Sequence, residues 1–182
     1  INLFKEPSTP ASYIPNIQVD HVTCGYHDIE LMVNTFKDLK VDVVTYELEN
    51  VSIAALYQLQ TAGINVYPKP EILQMIQNKE TQKKWLIKNN FPTSQLLSVK
   101  EINETMAIGE KYVEKVKVGG YDGRGVTIKV QSENGYNWIM ENFCEEYVEI
   151  EKELSIMIGR NLAGETFMYD PVEMGPNANH QL

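Results

Sequence analysis

The chain has 182 residues, 43% apolar and 23% charged, enough for one large or two small globular domains with a buried core. Its net charge of −9 excludes a broad nucleic-acid surface, which needs clustered Lys and Arg, but leaves room for a small phosphate ligand in a locally basic pocket. Cys24 and Cys144 lack metal-ligand spacing and read as reduced thiols of a cytoplasmic protein. No signal-peptide pattern occurs, and no apolar run approaches the ~20 residues of a membrane span.

In chain order, residues 1–27 read as irregular, with Pro7, Pro10 and Pro15 among Ser and Thr; only "INLF" suggests a strand end. "DIELMVNTFKDLK" then places Ile29, Met32, Val33, Phe36 and Leu39 at helical spacing behind an Asp28 N-cap. "VDVVTY" reads as a buried strand. "SIAALYQLQTAG" reads as a second helix, with Ser52 as cap and Gly63 as stop. "INVYP" is another strand, and this alternation predicts a parallel sheet. The segment 69–92 predicts a short helix, a break near Asn78, and a longer helix ending before Pro92.

Beyond Ser94 the texture becomes antiparallel α+β. We expect a helix over 101–111, strands at 115–118 and 126–130, a helix over 133–142, and strands at 144–150, 153–159 and 166–172. The soft domain boundary falls near residue 93.

Four stretches carry candidate chemistry. "GGYDGRG" (119–125) lies between two strands, so it is neither a dinucleotide fingerprint nor a Walker A loop. It reads as a flap whose backbone can approach an anion, or as a plain hairpin turn. Tyr121, Asp122 and Arg124 favour the flap. Lys115 and Lys117 share one strand face, suited to a phosphate or to solvent. In "CEEYVEIEKELS", Glu145, Glu149, Glu151 and Glu153 share a face by strand parity, as ribose ligands or as a solvated acidic face. "VTYELEN" puts Glu47, Glu49 and Asn50 beyond the carboxyl end of a strand, where open α/β sheets bind ligands, or where a Glu and an Asn cap the next helix. The histidines His21, His27 and His180 show no triad or zinc spacing.

Taken in order, these stretches resemble the 5-(carboxyamino)imidazole ribonucleotide synthetases, ATP-grasp ligases of purine biosynthesis. "PSTPAS", "DVVTYELENV", "VYPKPEILQMIQNKETQKKWLIKNNFPT", "KVKVGGYDGRGV" and "EEYVEIEKELSIMIGRN" carry the likeness over nearly the whole chain. It implies a partial Rossmann-like pre-ATP-grasp domain (1–77), a connecting helix (78–93) and an ATP-grasp domain (94–182). It also implies truncation at both ends: the first strand and its glycine turn would precede Ile1, and the magnesium-holding strand and a C-terminal domain would follow Leu182.

By the same resemblance, Lys115, Lys79, Gly119, Gly120 and Gly123 contact ATP, Glu145 and the backbone near Tyr147 read the adenine edge, and Glu153 holds the ribose. Lys79 replaces the family's usual arginine, keeping the charge without the bidentate fork. Tyr121, Asp122 and Arg124 serve catalysis; Tyr121 and Asp122 face aminoimidazole ribonucleotide, with Glu47 bordering it. The implied reaction is carboxylation of that ribonucleotide by bicarbonate through carboxyphosphate, with ATP and Mg2+, in a cytoplasmic homodimer. The metal ligands would lie outside this chain. Two other readings stand beside it: another carboxylate–amine ligase of the same fold using formate, and a non-catalytic ATP-binding module.

Overall fold

A computed structural model describes residues 2–4, 21–23, 28–120, 124–137 and 139–175. The chain divides into two units, Ile1–Trp85 and Leu86–Leu182. The first is α/β and the second α+β.

In the first unit β1 (Asn2–Phe4) pairs in parallel with β2 (His21–Thr23). The strand end expected at "INLF" is present, whereas β2 falls in a stretch expected to be irregular. Next come α1 (Ile29–Asp38), β3 (Val43–Thr45), α2 (Ile53–Thr61), β4 (Asn65–Tyr67) and α3 (Pro70–Gln77). β3 and β4 pair in parallel across the α2 crossover, as the alternation requires.

Capping fixes where both longer helices start. The Asp28 carboxylate accepts from Leu31 N at 3.2 Å, and the Ser52 hydroxyl accepts from Ala55 N at 3.3 Å. Met32, Val33 and Phe36 of α1 meet Ala55, Leu56 and Leu59 of α2 over Val44, Val66 and Leu73. Burying one such Leu or Phe side chain stabilises by roughly 1.5–3 kcal/mol, so this cluster outweighs the propensity of either helix.

α4 (Lys79–Lys88) runs across the division between the units. The expected break is where α3 ends: Asn78 is extended and its side chain accepts from Thr81 N at 3.0 Å, capping the new helix.

The second unit holds β5 (Leu96–Leu97), α5 (Val99–Glu104), β6 (Lys111–Val116), β7 (Val126–Val130) and β8 (Asn142–Glu146). The strands form an antiparallel sheet of order β5-β8-β6-β7. α5 starts on a capping box, Ser98 with Glu101, and buries Ile102 against Tyr112, Tyr136 and Cys144. β9 (Leu154–Ser155) pairs with β12 (Val172–Glu173), and β10 (Ile158–Arg160) with β11 (Thr166–Met168). Both pairs are exposed throughout.

Several expected boundaries are corrected. The helix over 101–111 stops at Glu104, because Gly109 (φ +93°) and a turn closed by Ala107 N to the Glu110 carboxylate redirect the chain into β6. β6 therefore begins at Lys111 rather than 115. Among the described residues of 133–142 no helix forms: Gly135 takes φ +67°, and Asn103 binds Tyr136 at both its N–H (2.6 Å) and its carbonyl (3.2 Å). The strand expected to 150 ends at Glu146, and the one over 153–159 breaks into β9 and β10. Among the described residues, no helix is long and apolar enough to cross a membrane.

Candidate active site

Strand β6 sorts its side chains onto two different surfaces. Directly opposite residues of an antiparallel pair share a face, so Val113, paired to Glu145, and Lys115, paired to Phe143, look one way. Tyr112 and Glu114, the latter paired to Cys144, look the other way.

On the first face the Lys115 ammonium forms an ion pair with the Glu145 carboxylate, diagonally across β6 and β8. The Glu145 side chain is 5% exposed and that of Lys115 31%. A carboxylate so deep is tolerable only with a cation and hydrogen-bond donors beside it. The pair thus places a cation and a buried acceptor within a few ångströms, the chemistry needed to meet phosphate oxygens and an amino group together. Further along that face the Lys111 ammonium lies 5.0 Å from the centre of the Tyr147 ring.

The opposite face is core. Glu114 is buried with Lys129 at 3.6 Å, beside Tyr136 and Cys144. Burial, then the neighbouring Cys144 and Glu114, push the Tyr136 hydroxyl well above its ordinary 10.0. Burial raises the Cys144 thiol above 9.0, with the neighbouring Tyr136 hydroxyl partly opposing the rise and Glu114 adding to it. Tyr112 is raised from 10.0, by burial first.

The glycine loop leaves β6 at a closed rung: Val116 N donates to Gly125 O at 2.9 Å, and Lys117 N to Glu141 O at 2.8 Å. Gly125 has φ +80°, and a Cβ there would run into the Val116 side chain. A Cβ on Gly120 would come to 2.6 Å from the Arg124 carbonyl, and Gly119 has φ +84°. At Gly120 and Gly125 a side chain would collide with its neighbours, and at Gly119 the backbone angle favours glycine. Arg124 is exposed, and Tyr121, Asp122 and Gly123 lie outside the described residues.

The acidic run does not form one face. The strand ends at Glu146, so the parity expected for Glu145, Glu149, Glu151 and Glu153 fails: Glu145 is buried and the other three are exposed. Glu153 sits just before β9, its carbonyl accepting from Met174 N at 2.9 Å.

In the first unit Glu47 is exposed on the loop after β3, at the carboxyl end of the parallel pair. Lys79, the first residue of α4, bonds the Glu49 carboxylate at 3.0 Å. Glu49 therefore binds Lys79, while α2 is capped by Ser52 instead of Glu49 or Asn50. Sequence reasoning missed the Gln77 amide, which reaches two carbonyls of this loop, and the Glu114 buried behind Lys115. The order of polar and apolar residues in "KYVEKV" does not alternate, so no local pattern marks Glu114 as buried.

Residues 84–180 match the ATP-grasp domain, and residues 3–77 match the ribonucleotide synthetase pre-ATP-grasp domain. The phosphoribosylaminoimidazole carboxylase of Candida glabrata is 33% identical over 92% of this chain and 31% of its own length. The N5-carboxyaminoimidazole ribonucleotide synthase of Brucella melitensis is 28% identical over 95% of this chain and 49% of its own. The crystal structure of N5-carboxyaminoimidazole ribonucleotide synthetase from Thermotoga maritima superposes with a TM-score of 0.72 at 33% identity, covering 94% of this chain and 46% of that one. The chain thus spans about a third of the first of these relatives and about half of the other two. With more than half of its residues matched by the domain model, this chain belongs to the ATP-grasp family.

Proposed function

We propose that this chain forms part of a ligase that uses ATP to carboxylate the exocyclic amine of 5-aminoimidazole ribonucleotide with bicarbonate, in purine biosynthesis. The observation that carries the reading is the likeness at 33% identity to a carboxyaminoimidazole ribonucleotide synthetase across both units. The Lys115–Glu145 pair beside the glycine loop supports it as a nucleotide site.

In this reading Lys115 and Lys79 engage phosphate oxygens, with Gly119, Gly120 and Gly123 letting backbone approach them. Glu145 and the backbone near Tyr147 meet the adenine edge, and Glu153 the ribose. Tyr121, Asp122 and Arg124 face the ribonucleotide, which Glu47 borders. A bicarbonate oxygen attacks the γ-phosphorus and the bond to ADP breaks, giving carboxyphosphate. That intermediate releases phosphate and carbon dioxide, and the amine attacks the carbon and loses a proton. Carboxyphosphate is quickly lost to water, so the loop is assigned to covering it. Magnesium belongs to such chemistry through the nucleotide's phosphates, but among the described residues no three His, Cys, Asp or Glu side chains are arranged to hold it. The setting of the reaction is the cytoplasm.

The test is phosphate release by the full-length protein. We expect release only when bicarbonate and aminoimidazole ribonucleotide are both present; equal ATP turnover without the ribonucleotide overturns the reading.

A further inference from the structure

The loop between β3 and α2 is held by the end of α3. The side-chain amide nitrogen of Gln77, the last residue of that helix, donates to Glu49 O at 2.6 Å and to Val51 O at 2.9 Å. A primary amide has two N–H donors, so one nitrogen satisfies both carbonyls. Such carbonyls, turning out of a strand end, have no ladder partner and need one from elsewhere.

The same loop is tied at its start. The Tyr46 hydroxyl donates to Pro68 O at 2.9 Å, at the entrance to α3. Glu47 and Leu48 are thus the short stretch between two fastened points, Tyr46 and Glu49. The Lys79–Glu49 ion pair adds a third tie, but its carboxylate is 59% exposed, and an exposed pair contributes little. The half-buried amide of Gln77 is the stronger fastening.

We propose that Gln77 is a positioning residue: it clamps the loop and so fixes the exposed Glu47 at the carboxyl end of β3 for the ribonucleotide. The role in substrate binding rests on the function proposed above; the clamp itself rests on the two hydrogen bonds. Gln77 acts through the backbone of Glu49 and Val51, the two carbonyls its amide binds. Glutamine is required over glutamate, because a carboxylate would turn two attractive contacts into repulsion with two carbonyl oxygens.

The test uses Gln77→Met, which keeps length and volume without the donor, and Gln77→Glu, both in the full-length protein. For both we expect KM for aminoimidazole ribonucleotide to rise about tenfold with KM for ATP unchanged, a misplaced group rather than a lost contact. Amide hydrogen exchange over residues 47–51 should quicken in both variants. Unchanged exchange overturns the clamp. Quicker exchange with unchanged KM, or an equal rise in both KM values, overturns the positioning role. If the wild type turns over ATP without the ribonucleotide, the proposed function falls and the positioning role with it, while exchange still decides the clamp.

Discussion

Lys115 and Glu145 hold each other on one face of the sheet, the carboxylate nearly sealed and the ammonium partly open to solvent. The asymmetry sets the consequences of removing either. Lys115→Met takes a cation from beside a buried carboxylate, and we expect a loss of about 1–3 kcal/mol, less than for a fully buried pair because the lysine is partly exposed. Glu145→Gln leaves a partly solvated lysine and should cost less. Urea midpoints of the two variants check the order, and a reversed order would place the burial cost on the lysine.

Asp122→Asn separates the two proposed ligands. The ribonucleotide-dependent rate should fall to near background while ATP affinity, read by equilibrium binding, stays mostly intact. An equal loss of ATP binding would move Asp122 to the nucleotide.

Two glycines with nearly the same backbone angle test whether the loop base is sterically closed. Gly164 has φ +86° with open space around its would-be Cβ, so Gly164→Ala carries only the backbone term of about 1–2 kcal/mol. Gly125→Ala carries the same term plus a clash with Val116, for a total of about 2–4 kcal/mol. Equal urea midpoints would mean that Val116 moves aside at no cost.

The buried hydroxyl and thiol behind the site predict an alkaline weakness. Tyr136, Tyr112 and Cys144 are all raised above their ordinary 10.0, 10.0 and 9.0. A raised acid keeps its proton longer when folded, so its contribution is complete below the unfolded value and is lost as pH rises from about 9 upward. The Tyr136 oxygen is buried without a hydrogen bond of ordinary geometry, so Tyr136→Phe should be within about 1 kcal/mol of wild type at pH 7. It should also flatten the decline between pH 8 and 11, measured as urea midpoints; an unchanged slope would remove Tyr136 as a source.

What could be read from the residues followed local chemistry. α1 and α2 were legible because caps and apolar spacing at Asp28 and Ser52 agree with the buried face. The break at Asn78 was legible too, though its mechanism, an asparagine capping the next helix, was not. The failures lie where distant partners decide. Residues 133–142 have apolar spacing fit for a helix, yet Asn103, some thirty residues earlier in the chain, takes the backbone of Tyr136 for itself. Lys115 and Glu145 were singled out separately, but their meeting depends on the register of β6 against β8, which no local pattern states. Gln77 was invisible for the same reason, being a polar residue at a helix end whose partners lie 26 and 28 positions earlier.

The alternation along β6 has one more effect. Glu114 and Lys115 are neighbours of opposite charge on opposite surfaces, and each has its counter-charge on its own side, Lys129 and Glu145. Sliding β6 by a single position would exchange them, turning Glu114 toward Glu145 and pressing an ammonium into the space between Ile102, Tyr136 and Cys144. Misalignment would thus produce two stranded charges at once. The strand carries its own check on being laid down correctly, and the lysine proposed for the nucleotide is one half of that check.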